Sequence, residues 1–278
     1  MNSRLIYLLI LSILPFAKVY SKSDKSIGKI RIVTSAETHA MIDACDCRLE
    51  PGGGLLKRSF IVKSLREKDT LLLLDAGGFS GGGIYDSYTE GRAADSQRTI
   101  KTLDGMGKIH YDAVAVGDDD LQFGAKWLAE NSRKYSVPLV SANCFLSGNK
   151  KLFEPYILVK KGGYTFAVTA VTSPELLIEI DTSVTIKDPV KSLQSIWKEL
   201  VKKSDFQIIL SHLGQEKSIE LADSFPDCDI IVNGHRKADL QPYQMYNNVP
   251  VMQFGFLGKK ISHLDLEISG NKLRPVDG

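Results

Sequence analysis

The stretch KIRIVTSAETHA, residues 29–40, carries an apolar strand-like run that ends on Ala36-Glu37-Thr38-His39. Four later runs break in the same way. TLLLLD (70–75) leads to Ala76-Gly77-Gly78 and YDAVAV (111–116) to Gly117-Asp118-Asp119-Asp120. FQIILS (206–211) leads to His212-Leu213-Gly214, and DCDIIV (227–232) to Asn233-Gly234-His235. In an open α/β sheet the carboxyl ends of the strands face the ligand crevice, so residues distant in sequence meet there. Histidines and carboxylates delivered together in this way suit a hard or borderline divalent cation. One such cluster would be noise; five in order define an α/β class with a candidate metal centre.

The segments between these runs read as helices. Gly52-Gly53-Gly54 breaks the chain before a helix predicted over 55–68, with Leu56, Phe60 and Leu65 near helical spacing. Further helices are predicted over 93–106, with Ile100 and Leu103 inward, and over 124–134. The clearest covers 189–203. There Asp188 suits the cap and Pro189 the first turn, while Leu193, Ile196, Trp197 and Leu200 form a packing stripe. A buried strand is expected at 137–142, and VPVMQFGFLGKK and ISHLDLEIS read as a pair of strands around Gly258.

Residues 1–21 have the pattern of a signal peptide: a basic start through Arg4, an apolar stretch over 5–17, and a cut expected before Lys22. The alternative is an uncleaved N-terminal anchor. Either way the protein is expected to be exported, to the periplasm or the extracellular space. Losing Arg4 and Lys18 would bring the 35 basic residues level with the 33 acidic ones. Such a balance leaves no electrostatic footprint for nucleic acid or an anionic membrane. Residues 28–275 are the size of one α/β domain.

With these motifs in order, the chain resembles the calcineurin-like metallophosphoesterases, and most closely the catalytic domain of secreted 5′-nucleotidases. Glu37-Thr38-His39 stands where the family has Asp-x-His, and Asp75-Ala76-Gly77-Gly78 where it has Asp-Ala-Gly-Asp. Gly117-Asp118-Asp119-Asp120 replaces Gly-Asn-His-Asp/Glu. Ser211-His212-Leu213-Gly214 matches, and Gly234-His235-Arg236-Lys237 lacks the final histidine. The resemblance implies a four-layer αββα sandwich and a centre in which two metals clamp the oxygens of a phosphoester.

Carried over residue by residue, one metal would keep Glu37 and His39 but lose its other ligands to Gly78 and Lys237. The second would keep Asp118, His212 and His235. About one divalent ion per chain is therefore expected, as Zn, Mn or Fe. Asp119 stands where the family has a catalytic histidine and Lys237 where it has the last metal-ligating one; both are candidate catalytic residues. A carboxylate facing a phosphate is repulsive unless protonated or metal-bound, whereas Lys237 could neutralise charge. Asp75 is expected to hold its loop by backbone hydrogen bonds. His110 and His263 fall outside the motifs.

Four cysteines in an exported chain invite disulfides, and the sequence does not choose a connectivity. Cys144 and Cys228 flank buried strands and suit small buried hydrophobes. Cys45 and Cys47 follow His39 and are candidate thiol ligands; structural disulfides or packing are the alternative. A divergent branch of this nucleotidase-like family carries a similar Cys-x-Cys. The leading expectation is hydrolysis of a small phosphoester by a metal-activated water. The competing one is a pseudoenzyme that uses the fold as a metal-binding or thiol-redox module. Secreted nucleotidases continue into a second, base-binding domain with no counterpart after Ile268 here, so nucleotide specificity is not part of the expectation.

Overall fold

The computed structural model describes residues 28–44, 52–175, 183–235, 243–253 and 258–278. Its first half runs β1 (Gly28–Ser35), α1 (Leu55–Arg66), β2 (Leu71–Asp75), α2 (Arg92–Ile109), β3 (Ala113–Ala115), α3 (Ala125–Lys134) and β4 (Leu139–Val140). Next come β5 (Cys144–Leu146), β6 (Lys150–Lys151), β7 (Tyr156–Lys161), β8 (Tyr164–Thr172) and β9 (Val184–Ile186). The rest is α4 (Pro189–Lys203), β10 (Phe206–His212), α5 (Gln215–Ser224), β11 (Ile230–Asn233), β12 (Tyr243–Tyr246), β13 (Val249–Met252), β14 (Ser262–Ser269) and β15 (Lys272–Asp277).

Two six-stranded sheets have the orders β15-β14-β1-β2-β3-β4 and β12-β13-β11-β10-β8-β7, beside a small sheet β6-β5-β9. Strands β1 to β4 are mutually parallel, as are β8, β10, β11 and β13. Side chains alternate faces along a strand, and β2 shows where each face goes. Leu72 and Leu74 point into a core shared with Phe166, Val168, Ile208 and Leu210 of the other sheet. Leu71 and Leu73 pack instead with Val62, Leu103, Met106 and Leu128 of the first three helices. On the far side, Ile209, Ile231 and Val251 pack against Leu193, Leu221 and Ala222 of α4 and α5. The result is the expected single-domain, four-layer αββα sandwich. It explains why TLLLLD and FQIILS are apolar without alternation: both faces of these strands are covered.

Several local readings hold. Asp188 caps α4 by accepting from the Lys191 amide at 2.7 Å, and Leu193 and Leu200 are fully buried. Cys144 and Cys228 are buried free thiols. Others are corrected. Helix α1 ends at Arg66, and its inward residues are Leu55, Arg58 and Val62, while Leu56 and Phe60 are 81% and 75% exposed. The 137–142 strand shrinks to Leu139–Val140. The strands on either side of Gly258 do not pair: β13 belongs to the second sheet, and β14 crosses to lie antiparallel to β1. The signal-peptide residues, Cys45, Cys47 and Lys237 lie outside the described residues.

Candidate metal centre

The carboxyl ends of β1, β2 and β3 in one sheet, and of β10 and β11 in the other, open onto one buried polar site. The loop after β1 runs beside the loop after β2. The amides of Glu37, His39 and Ala40 donate to the carbonyls of Gly77, Gly78 and Phe79 at 2.9, 3.0 and 2.8 Å. Along this path Glu37, His39 and Ala40 have φ of 51°, 41° and 49°, and His235, after β11, has φ 57°. Left-handed backbone at non-glycine residues costs on the order of 1 kcal/mol or more each and clusters where surrounding structure over-determines it.

Two anchors tie these loops down. Asp75 accepts from the Gly77 amide at 2.9 Å, as expected, and also pairs with Ser35 Oγ. Burial raises its pKa to about 7. Asp120 accepts from the amides of Gly78, Ser80 and Gly117 at 2.9, 2.9 and 2.7 Å, so it fastens the β2 loop to the β3 loop. Beside them, Arg98 donates to the His39 carbonyl at 2.8 Å and pairs with Asp86 and Asp95 at 2.7 and 2.8 Å. Neither Asp120 nor Arg98 stood out in the sequence. The three-aspartate run was the available signal for Asp120. A guanidinium in the middle of α2 offered none.

Within this frame the functional side chains meet. His212 Nδ1–H donates to the Ala76 carbonyl at 2.8 Å, which leaves Nε2 directed at Asp118 Oδ1, 2.7 Å away. Asp118 Oδ1 is also 3.6 Å from His235 Nδ1. Glu37 Oε1 lies 3.6 Å from His212 Nε2, and its other oxygen lies 3.2 Å from His39 Nε2. His39 Nδ1 is in turn 3.7 Å from Asp119 Oδ2. Ligand atoms of Glu37, His212 and His235 all fall within 4.8 Å of one another. Tyr85 abuts His235 with ring centroids 5.9 Å apart.

Burial disfavours charge throughout, but pairing overrides it at several groups. The Asp118 carboxylate is held well below its usual range by His212 and His235. His212 is raised by Asp118 and Glu37, and His39 is raised by Glu37 and Asp119. Asp119 is pushed up to about 7 by burial and the neighbouring Asp118 charge. His110 caps the end of α2 with φ 60°, and His263 lies on β14, so both stand apart from the site.

The residues fit a cation. Glu37 Oε1 and both ring nitrogens of His235 are buried without a hydrogen-bond partner among the described residues. Leaving such atoms unsatisfied normally costs about 1–3 kcal/mol each. A divalent ion would satisfy Glu37 Oε1 and one ring nitrogen of His235, and His212 already has the outer hydrogen bond typical of a ligating imidazole.

Fold and site together define a metallophosphoesterase-type domain, and comparison with known proteins gives the same class. No family model matches the chain. It is 29% identical over 210 residues to a 5′-nucleotidase of Vibrio cholerae, covering 66% of this chain and 36% of that protein. It is 28% identical over 264 residues to protein UshA of Yersinia enterocolitica, covering 80% and 46%. The crystal structure of a 5′-nucleotidase precursor from Thermus thermophilus superposes with a TM-score of 0.74 at 23% identity, covering 88% of this chain and 53% of that one. The chain resembles the 5′-nucleotidase-like metallophosphoesterases in sequence and has their fold. It spans half or less of the length of these two curated relatives.

Proposed function

We propose that the protein is an exported hydrolase of small phosphoesters, dependent on one divalent ion, Zn, Mn or Fe, per chain. The observation that carries this reading is the convergence of Glu37, Asp118, His212 and His235, from four strand ends on two sheets, onto one buried point. A divalent ion held there would acidify water and offset phosphoryl charge. The Ala76 carbonyl fixes the tautomer of His212, so that Nε2 faces the centre. Asp118 would offset the charge of a cation held between the two neutral imidazoles. Asp119, 3.7 Å from His39, would hold the proton required by the leaving oxygen. Lys237 would neutralise the charge of Glu37 or of a substrate phosphate; this rests on its charge and sequence position, because it lies outside the described residues.

Export rests on the N-terminal pattern. No helix among the described residues is long and apolar enough to cross a membrane. The deciding experiment is an assay of the purified protein on p-nitrophenyl phosphate and bis(p-nitrophenyl) phosphate with Mn, Zn, Mg or Fe. Metal-dependent turnover abolished in His235→Ala supports hydrolysis. Metal binding without turnover on any ester favours the pseudoenzyme.

A further inference from the structure

The most informative contact in the site lies between Glu37 and Gly78. A Cβ built on Gly78 would sit 2.3 Å from Glu37 Oε1 and 2.8 Å from its carboxyl carbon. The Glu37 carboxyl group therefore occupies the space into which a side chain at position 78 would project. Gly78 also has φ +75°, a conformation in which side chains are strained. Glu37 is 1% exposed, and its Oε1 has no hydrogen-bond donor among the described residues although it faces His212 Nε2 at 3.6 Å. A buried carboxylate oxygen pointed at imidazole nitrogens and left without a donor is the arrangement a cation relieves.

We propose that Glu37 reaches past His39 to serve as the second carboxylate of the Asp118–His212–His235 site, in the space that Gly78 leaves open, with His39 as its positioning residue. The sequence pairs Glu37 with His39 as ligands of one metal. The structure divides their roles: Oε1 turns to the His212–His235 side, while Oε2 rests 3.2 Å from His39 Nε2. Chain length is what makes this possible. An aspartate at 37 would end one C–C bond short, drawing the carboxylate back by ~1.5 Å. A side chain at 78 would collide with the glutamate. The two positions therefore form a linked pair, each residue suited only to the other. This inference rests on the metal-centre reading above but not on whether hydrolysis occurs.

The test is calorimetric titration of chelator-stripped protein with Zn(II) and with Mn(II). Apo-state circular dichroism and melting temperature serve as the check that each variant folds. Glu37→Gln keeps the shape and removes the charge, while Glu37→Asp keeps the charge and retracts it. Both should weaken binding by more than the ~10–100-fold that loss of a supporting partner costs, whereas His39→Gln should fall within that range. Gly78→Ala should weaken binding by displacing Glu37. In Glu37→Asp/Gly78→Asp, a carboxylate re-enters the same space from the other loop and should recover about tenfold or more over Glu37→Asp alone, a difference of ~1.4 kcal/mol. If Glu37→Gln and Glu37→Asp are folded and bind both ions as tightly as the wild type, Glu37 is no ligand and this inference falls while the site stands. A wild-type protein that binds neither ion overturns both.

Discussion

Asp75→Asn should make the metal-free protein less sensitive to pH without disturbing its fold. Asp75 is fully buried at the end of β2, where Oδ1 accepts from the Gly77 amide at 2.9 Å and Oδ2 faces Ser35 Oγ. Burial raises its pKa from 3.8 to about 7. The folded state therefore keeps a proton that the unfolded chain has released. Between about pH 4 and 7 the unfolded state binds fewer protons at this residue, so its contribution to stability falls as pH rises. A shift of roughly three pKa units at 1.36 kcal/mol each sets a ceiling of ~4 kcal/mol on the loss.

Asparagine reproduces the protonated form. Its carbonyl accepts from Gly77, and its amide can donate to Ser35 Oγ, which still pairs with the Tyr111 hydroxyl at 2.9 Å. Urea unfolding at pH 4.5 and 8.0 in the presence of chelator measures the difference directly. The variant should match the wild type within ~1 kcal/mol at pH 4.5 and exceed it by ~2–4 kcal/mol at pH 8.0. Asp119 and Asp229, also pushed up to about 7, contribute to the pH slope of both proteins and cancel in the comparison. A variant destabilised equally at both pH values would refute the reasoning, because it would mean that the carboxylate is charged in the fold, kept so by the nearby Arg58 charge that favours its ionised form.

Arg98→Met should cost ~3–5 kcal/mol in a denaturant titration, because it strands the buried carboxylates of Asp86 and Asp95. It should also loosen metal binding through loss of the contact to the His39 carbonyl. Leu193→Ala removes a fully buried side chain from the core beneath α4 and should cost ~2–5 kcal/mol without changing metal affinity. For Cys45 and Cys47, alkylation rates in apo and metal-loaded protein decide between thiol ligands and structural thiols: protection by metal marks ligands, and equal rates exclude them.

The parts of the fold that could be read in advance were those fixed by local pattern. Strands covered on both faces are apolar throughout, so β2 and β10 were plain, and α4 carries its own cap and stripe. Helix α1 was misread because it contains two overlapping apolar sets. Leu55 and Val62 face inward, and Leu56 and Phe60, equally apolar, face out. No local feature of the sequence separates the two sets; the direction from which the chain enters the helix does. The crossing between β13 and β14 was hidden for a similar reason, since two neighbouring strands read as a pair unless the sheet partners are known. Within the site, sequence order sends His39, Asp118, His212 and His235 to one crevice; Asp118 lies 2.7 and 3.6 Å from His212 and His235, whereas His39 rests against Glu37 and Asp119. Sequence order could not show which way Glu37 points, because that depends on a contact with Gly78 across two loops. Asp120 was visible only as the third of three aspartates, yet it accepts the three amides that hold the loops together.

The most direct test of the central claim is metal content per chain, measured by elemental analysis after the protein is loaded with Zn or Mn and dialysed. The account predicts about one equivalent in the wild type, and none in His212→Ala or His235→Ala variants that remain folded. Wild-type protein that retains no metal, or variants that hold as much as the wild type, would contradict it.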